Sequence, residues 1–338
     1  MKIRRNIIFA LLAAAIVLLI PVGLMTGGVS ISAYDALEAL TAGGDSLTHF
    51  IVVESRLPAI VTALLGGAAL SVAGLLMQTC FDNPLAGPSI MGISSGASVG
   101  VALVMMMFGS AMGTWGNLAV ILGAMAGALS VLVLLLFFSG LVRSADVLLI
   151  VGILIGYLAS SVITLLNFFG ADRAVHSFVI WGMGSFDTVG LERLPLFSAA
   201  ILVLLCLSML YAKSLNALLF GSRYAESVGV SATKVRTALL CLAGGLTAVV
   251  TAWCGPIGFL GLVVPHIARM LLRTSNHFML LPATALCGAL LGLLCRILSA
   301  SPAVSSGATV PVNAITPFIG VPVIIYVLLN RKKLLYFN

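Results

Sequence analysis

Charge is what this chain has least of. Only 8% of its 338 residues are Asp, Glu, Lys or Arg, against about 25% in an ordinary globular protein. A water-soluble protein of this length cannot cover its surface with so few, which excludes a soluble enzyme, a disordered chain and a coiled coil. The six cysteines (Cys80, Cys206, Cys241, Cys254, Cys287 and Cys295) have neither zinc-ligand nor CxxC spacing. They lie in or at the edge of apolar segments and read as small apolar fillers. No GxxxxGK[ST] sequence occurs, so the chain does not bind ATP through that loop, and no HExxH motif or paired Asp marks an intramembrane protease. Ionisable residues are almost absent from the middle of the apolar segments, where an ion-coupled carrier keeps its coupling groups. Any energy for work must then come from a partner.

Apolar residues are abundant, at 61%, and the mean hydropathy is +1.22. Length alone suggests about two soluble domains, but this composition is that of a polytopic membrane protein. A helix needs about 20 apolar residues to cross a bilayer. Nine segments qualify: 7–26, 57–80, 92–109, 117–138, 147–170, 194–212, 237–255, 278–295 and 310–330. A tenth, 257–272, is short and carries His266 and Arg269. The basic start Lys2, Arg4, Arg5 followed by apolar sequence resembles a secretory signal. Its apolar run is too long for a signal core and no A-x-A site follows, so it is expected to be a retained first span.

With ten spans both termini lie on one side, expected to be the cytoplasm. Thirteen of the seventeen Lys and Arg residues then fall inside, and Arg56, Arg173, Arg193 and Arg296 fall outside. Of the acidic residues only Asp82, Asp146 and Glu226 are inside. This asymmetry is the positive-inside rule, and it tests the count, because omitting the short span would put Arg331, Lys332 and Lys333 outside. Small residues recur four apart at Gly92, Gly96 and Gly100, at Gly123 and Gly127, at Gly152 and Gly156, and at Gly288 and Gly292. Such spacing lets helix backbones approach closely.

Two inner segments are more than connections. In 78–88, Pro84 and Pro88 break the helix while Asp82 and Asn83 can satisfy the freed backbone groups. The longer segment, 213–236, contains Ser222, Arg223, Tyr224, Ala225, Glu226, Ser227, Val228 and Gly229. Ala225, Val228 and Gly229 share one helical face and Arg223 and Glu226 another, with Gly221 and Gly229 placed to close a short helix. Such a helix either lies on lipid or docks in a groove of a soluble partner, and spacing leaves both open. In the fifth span, Ser160, Ser161, Thr164 and Asn167 either line a pathway or hydrogen-bond between helices. His266 invites a metal or haem-ligand reading. No second His or Cys converges on it in sequence, so a structural or partner-facing role is expected. Met105, Met106 and Met107 read as packing.

Several segments together resemble a known family. They are Arg56-Leu57-Pro58, Gly66-Gly67-Ala68-Ala69-Leu70, Met77-Gln78, Asn83-Pro84-Leu85-Ala86 and the stretch from Met91 to Ala97. Further on come Gly221 with Ala225, Val228 and Gly229, then the long block from Gly255-Pro256-Ile257-Gly258 through Gly261 to Pro265-His266-Ile267-Ala268-Arg269. Pro311-Val312-Asn313 and Ile319-Gly320-Val321-Pro322 complete the set. In order and chemistry these resemble the permeases of type II ABC importers for iron chelates, haem and cobalamin (FecCD-like). The Gly255 to Arg269 block is the most diagnostic.

The resemblance implies an all-α permease of about ten transmembrane helices, a single domain over 1–338. It implies pairing with a second copy, with the pathway at the dimer interface, in a bacterial cytoplasmic membrane. Two ATPase subunits would sit inside, holding the ATP and Mg that this chain does not, and a substrate-binding protein would dock outside. No covalent chemistry and no nucleic acid are expected. The resemblance resolves the inner helix, 222–229, toward the ATPase. It matches Arg56 and Arg296 to basic residues that meet acidic ones on the binding protein. A second Arg that often follows the first is Ala59 here, so that docking contact is either missing or replaced, with Arg173 and Arg193 as candidates. The alternative for Arg56 is a snorkelling anchor. The expected cargo is a metal chelate, ferric siderophore first, with cobalamin or haem as alternatives. An ion-gradient-driven secondary transporter and a non-transporting scaffold or sensor are the rival readings.

Overall fold

A computed structural model of the chain describes residues 2–41, 46–108, 116–142, 144–301 and 310–329. The basic residues Arg143, Arg331, Lys332 and Lys333 lie outside the described residues, so the charge asymmetry is traced below on the others. Among the described residues there are helices and no strands. In chain order they are α1 (Lys2–Met25), α2 (Ala33–Thr41), α3 (Leu47–His49), a π-helical turn (Phe50–Arg56), α4 (Leu57–Cys80), α5 (Ile93–Phe108) and α6 (Gly116–Leu141). There follow α7 (Ala145–Phe169), α8 (Asp172–Gly182), α9 (Leu194–Leu210), α10 (Ala212–Leu218), α11 (Ser222–Ser227) and α12 (Ala232–Cys254). The chain closes with α13 (Leu260–Leu272), α14 (His277–Ser299) and α15 (Val312–Leu329).

Each of the ten expected spans is helical. Six helical stretches are long and apolar enough to cross a membrane by length and composition, α9 and α10 form a further pair bent by 53°, and α5, α13 and α15 are shorter apolar helices. At 1.5 Å per residue α13 is about 20 Å long, short of a hydrocarbon core of about 30 Å. The non-helical stretch 255–259 separates it from α12.

Local sequence explains the boundaries. Ser144 caps α7 by accepting from the Val147 N–H at 3.5 Å, and Asn276 caps α14 by accepting from Phe278 N–H at 3.0 Å. Proline stands in the first turn of α4 and of α9, where its missing N–H costs nothing.

The centre of the bundle is α4, whose side chains are buried almost without a break from Pro58 to Cys80. It packs on α14, α12 and α13, while α5, α6 and α7 form a second group joined to it through α12. Backbones touch where small residues were expected. A Cβ on Gly100 would lie 2.0 Å from the Gly123 carbonyl oxygen, and one on Gly127 would lie 2.1 Å from that of Gly96. The closest approach involves a pair the spacing did not single out: a Cβ on Gly74 would sit 1.7 Å from the Gly261 oxygen, which locks α4 against α13. Of the cysteines, Cys80, Cys254, Cys287 and Cys295 are buried and Cys206 and Cys241 face outward.

Candidate functional site

The segment 213–236 folds at the end of the bundle that carries most of the described basic residues, here called the basic end. Helix α9 bends at Tyr211 into α10, and a turn leads into α11. The glycines at its borders have φ of +91° (Gly221) and +83° (Gly229), a region open to glycine and costly for other residues. The short helix expected at 222–229 is therefore present. Its faces differ from the expectation. Ala225 is the only buried side chain of α11, and Val228, expected beside it, is 53% exposed. With six residues and one anchor, the helix presents Ser222, Arg223, Tyr224, Glu226 and Ser227 outward together. Tyr224 also packs on the exposed Phe220, ring centroids 5.1 Å apart.

Behind α11 lies a layer of buried polar contacts. The 78–88 segment turns as its residues suggest: Asp82 has φ +46°, and Asn83 Oδ1 accepts from the Leu85 N–H at 2.9 Å. His266 is buried, and its Nε2 donates to the Pro84 carbonyl at 2.9 Å, tying α13 to this turn. Among the described residues no group of three or more His, Cys, Asp or Glu is arranged to hold a metal. Gln78 bonds to α13 twice, accepting from Arg269 Nη1 at 2.7 Å and donating to the Leu262 carbonyl at 3.0 Å. Beside it, fully buried His277 reaches Thr79 Oγ1 with Nε2 and Asn216 Oδ1 with Nδ1, both at 2.9 Å.

The diagnostic Gly255-Pro256-Ile257-Gly258 stretch is the break between α12 and α13. Unsatisfied backbone groups are costly within a membrane, and here Asn313, at the start of α15, satisfies them. Its Oδ1 accepts from the Gly258 N–H at 3.0 Å, and its Nδ2 donates to the Pro256 carbonyl. Ser185 N–H and Thr188 Oγ1 satisfy the last carbonyls of α12, at Cys254 (2.8 Å) and Trp253 (2.7 Å). Phe259 follows with φ +66°, an outlier for a bulky residue.

At the opposite end the two arginines matched to docking positions are both turned into the bundle. Arg56 and Arg296, matched to docking positions on the outer rim, are each 3% exposed. Arg56 donates to the carbonyls of Leu24 and Val29. Arg296 donates to the Gly23 carbonyl at 2.7 Å and pairs with Asp187 at 3.2 Å. The physical reason is the end of α1. Its last carbonyls have no intrahelical partner and carry partial negative charge that favours a cation, so both guanidiniums turn inward. Arg173 is exposed and Arg193 half-exposed, which leaves these two as the available described basic side chains of that end.

The polar residues proposed for a pathway lie on α7. Ser160, Ser161 and Thr164 are exposed, and each hydroxyl donates to the carbonyl four residues earlier, at 3.0, 3.1 and 2.9 Å. Asn167 is half-buried, and its Oδ1 is buried without a hydrogen-bond partner. Their neighbours Leu154, Tyr157, Leu158 and Leu165 are 59–69% exposed, so α7 offers a long uncovered face. Met105 and Met106 pack against the apolar core, as expected, whereas Met107 is 72% exposed.

Sequence reasoning did not single out His277 or Asn216, and it met Asn313 only as part of a motif. For His277 a signal existed, a histidine directly after an N-cap residue at the start of an apolar span. Its partners are 198 and 61 residues away.

Comparison with known proteins agrees with this architecture. Residues 12–330 match the FecCD transport family. The chain is 33% identical over 333 residues to the vitamin B12 import system permease protein BtuC of Salmonella paratyphi A, covering 98% of this chain and 97% of that one. The corresponding protein of Salmonella typhi gives the same identity and coverage. Among solved structures, a metal-chelate type ABC transporter in an inward-facing conformation superimposes with a TM-score of 0.83 at 29% identity, over 97% of this chain and 99% of that one. PsaBC from Streptococcus pneumoniae shares the fold at a TM-score of 0.54 and 16% identity, over 87% and 95% of the two chains.

Proposed function

The chain belongs to the FecCD transport family, and from that premise we propose how it works and what it carries. As a member it is a multi-pass membrane permease subunit of an ABC importer and not an enzyme. We propose that it pairs with a second copy of itself in a bacterial cytoplasmic membrane, with the basic end and both termini inside. Two ATPase subunits dock on α11 and a substrate-binding protein docks at the opposite end. The observation that carries this reading is the outward-facing α11, held between two positive-φ glycines at the end of a fold similar to a metal-chelate ABC transporter.

The mechanism follows from which parts are rigid. Closure of the ATPase pair on ATP displaces α11. The two arrangements of the permease differ in how they seat that helix, so ATP shifts their balance by its differential affinity alone. The break at 255–259 allows α13 to move apart from α12. The α7 face, with Ser160, Ser161, Thr164 and Asn167, meets its counterpart in the second copy and lines the pathway. Its short hydroxyls, already bonded to their own helix, offer a bulky cargo only weak contacts, which suits passage better than retention.

We propose a metal chelate as the cargo and cobalamin as the first compound to test. Ferric siderophore, the first choice from sequence alone, has no specific support among the relatives, whereas permeases named for vitamin B12 import match nearly the whole chain. With Arg56 and Arg296 engaged on α1, docking of the binding protein falls to Arg173 and Arg193.

The test is uptake of cobalamin and of a ferric siderophore into proteoliposomes holding this chain, its ATPase and its binding protein. Uptake of one chelate that stops with a hydrolysis-deficient ATPase is the expected result. Accumulation driven by an ion gradient without ATPase would instead make the chain a secondary carrier.

A further inference from the structure

The polar junction behind α11 has a geometry that simple packing does not require. The His277 backbone N–H donates to Asn216 Oδ1 at 2.8 Å. A backbone N–H can only donate, so this bond fixes which end of the Asn216 amide faces His277. The imidazole Nδ1, 2.9 Å from that same oxygen, must then carry a hydrogen. In the neutral ring Nε2 is left as an acceptor for the Thr79 hydroxyl, also at 2.9 Å. Asn216 Nδ2 donates in turn to the α14 cap, Asn276 Oδ1, at 3.0 Å. Every polar atom of His277 that can make a directed bond here makes one, and the ring is fully buried.

These bonds join three elements. Asn216 belongs to α10, the helix that precedes α11. His277 opens α14. Thr79 is in the last turn of α4, the hub of the bundle. The adjacent Gln78 holds α13 through Arg269 and Leu262. At its far end α13 begins at the 255–259 break, held by Asn313. The chain of contacts thus runs from the exposed coupling segment to the helix that starts at a break. Apolar packing is non-directional and lets one helix slide on another. Hydrogen bonds weaken steeply when bent and resist such sliding.

We propose that Asn216, His277 and Thr79 are positioning residues forming a polar strut, which carries displacement of the coupling segment into α4 and, through Gln78, into α13. The strut rests on the importer reading above and deepens it. Without it α11 would still dock and move, but the motion would be absorbed by sliding at the α10 surface.

The experiment uses the full assembly of permease pair and ATPases in nanodiscs, with its binding protein in proteoliposomes. Spin labels are placed at Phe220, beside α11, or at Leu271, near the basic end of α13. Distances between the two copies are measured without nucleotide and after ATP and vanadate trapping. In the wild type both pairs of labels should shift. In Thr79→Val, which keeps the shape and removes the hydroxyl, the Phe220 shift should persist and the Leu271 shift should be lost. Chelate uptake per ATP should fall while ATP hydrolysis continues. Thr79→Ser should restore both. Asn216→Leu, at a half-exposed position, should repeat the loss if Thr79→Val assembles poorly. An unchanged Leu271 shift with unchanged uptake per ATP in these variants overturns the strut. A wild-type complex whose Phe220 labels ignore ATP overturns the importer reading itself.

Discussion

At the basic end of the bundle, Thr79, Asn216 and His277 bond side chain to side chain across three helices, and α11 stands outward beyond them. At the opposite end, Arg56 and Arg296 bond to backbone carbonyls and draw themselves out of solvent. Both ends carry arginines near helix termini, yet Arg223 is exposed and Arg296 is buried. The difference lies in what each cation meets. Arg296 and Arg56 meet the uncapped end of α1 together with Asp187, which rewards burial. Arg223 sits on a helix too short and too thinly anchored to enclose anything. An arginine at a membrane-helix end is therefore not a docking residue by position alone.

The contrast can be broken most sharply at Arg296. Arg296→Leu should leave the Gly23 carbonyl without its charged donor and release Asp187 to solvent, costing about 2–3 kcal/mol. Thermal unfolding in detergent should show that loss whether or not an ATPase is present. A stable Arg296→Leu permease would mean that the opposite end is no more tightly held than the basic one.

Arg56→Lys keeps the charge but replaces a planar fork with a point donor that cannot serve Leu24 and Val29 together. A smaller loss, about 1–2 kcal/mol, is expected, readable as a lower melting temperature with binding-protein affinity unchanged. An affinity drop without a stability drop would return Arg56 to the docking surface.

The smallest stability effect belongs to the basic end. Replacing Arg223 and Glu226 together by Ala should leave unfolding within about 0.5 kcal/mol of wild type, while ATP hydrolysis by the complex ceases to drive uptake. Coupled uptake at the wild-type level would remove α11 from its assigned role.

Much of the fold is legible in the residues because a bilayer allows few choices: a backbone in hydrocarbon must bond to itself, so apolar runs of sufficient length become helices. Even the short run at 257–272 appears as α13. The glycine spacings forecast the approach of α5 to α6, but not that of Gly74 to Gly261, which are single small residues on helices distant in sequence. The outward helix at 222–229 was equally visible from its flanking glycines. Its buried side was not, because a six-residue helix has too few positions to define a face. The direction of Arg56 was hidden for another reason. Snorkelling, docking and capping all suit an arginine at that position, and only the proximity of the α1 carbonyls selects among them.

By itself the sequence determined that this chain crosses a membrane many times, since length and apolar composition of its runs are properties of the chain as a string. Tertiary structure alone decided which polar groups are occupied and which are displayed. Hydrogen bonds such as Thr79 to His277, or Asn313 to Gly258, form between atoms whose separation along the chain carries no information about their distance in space.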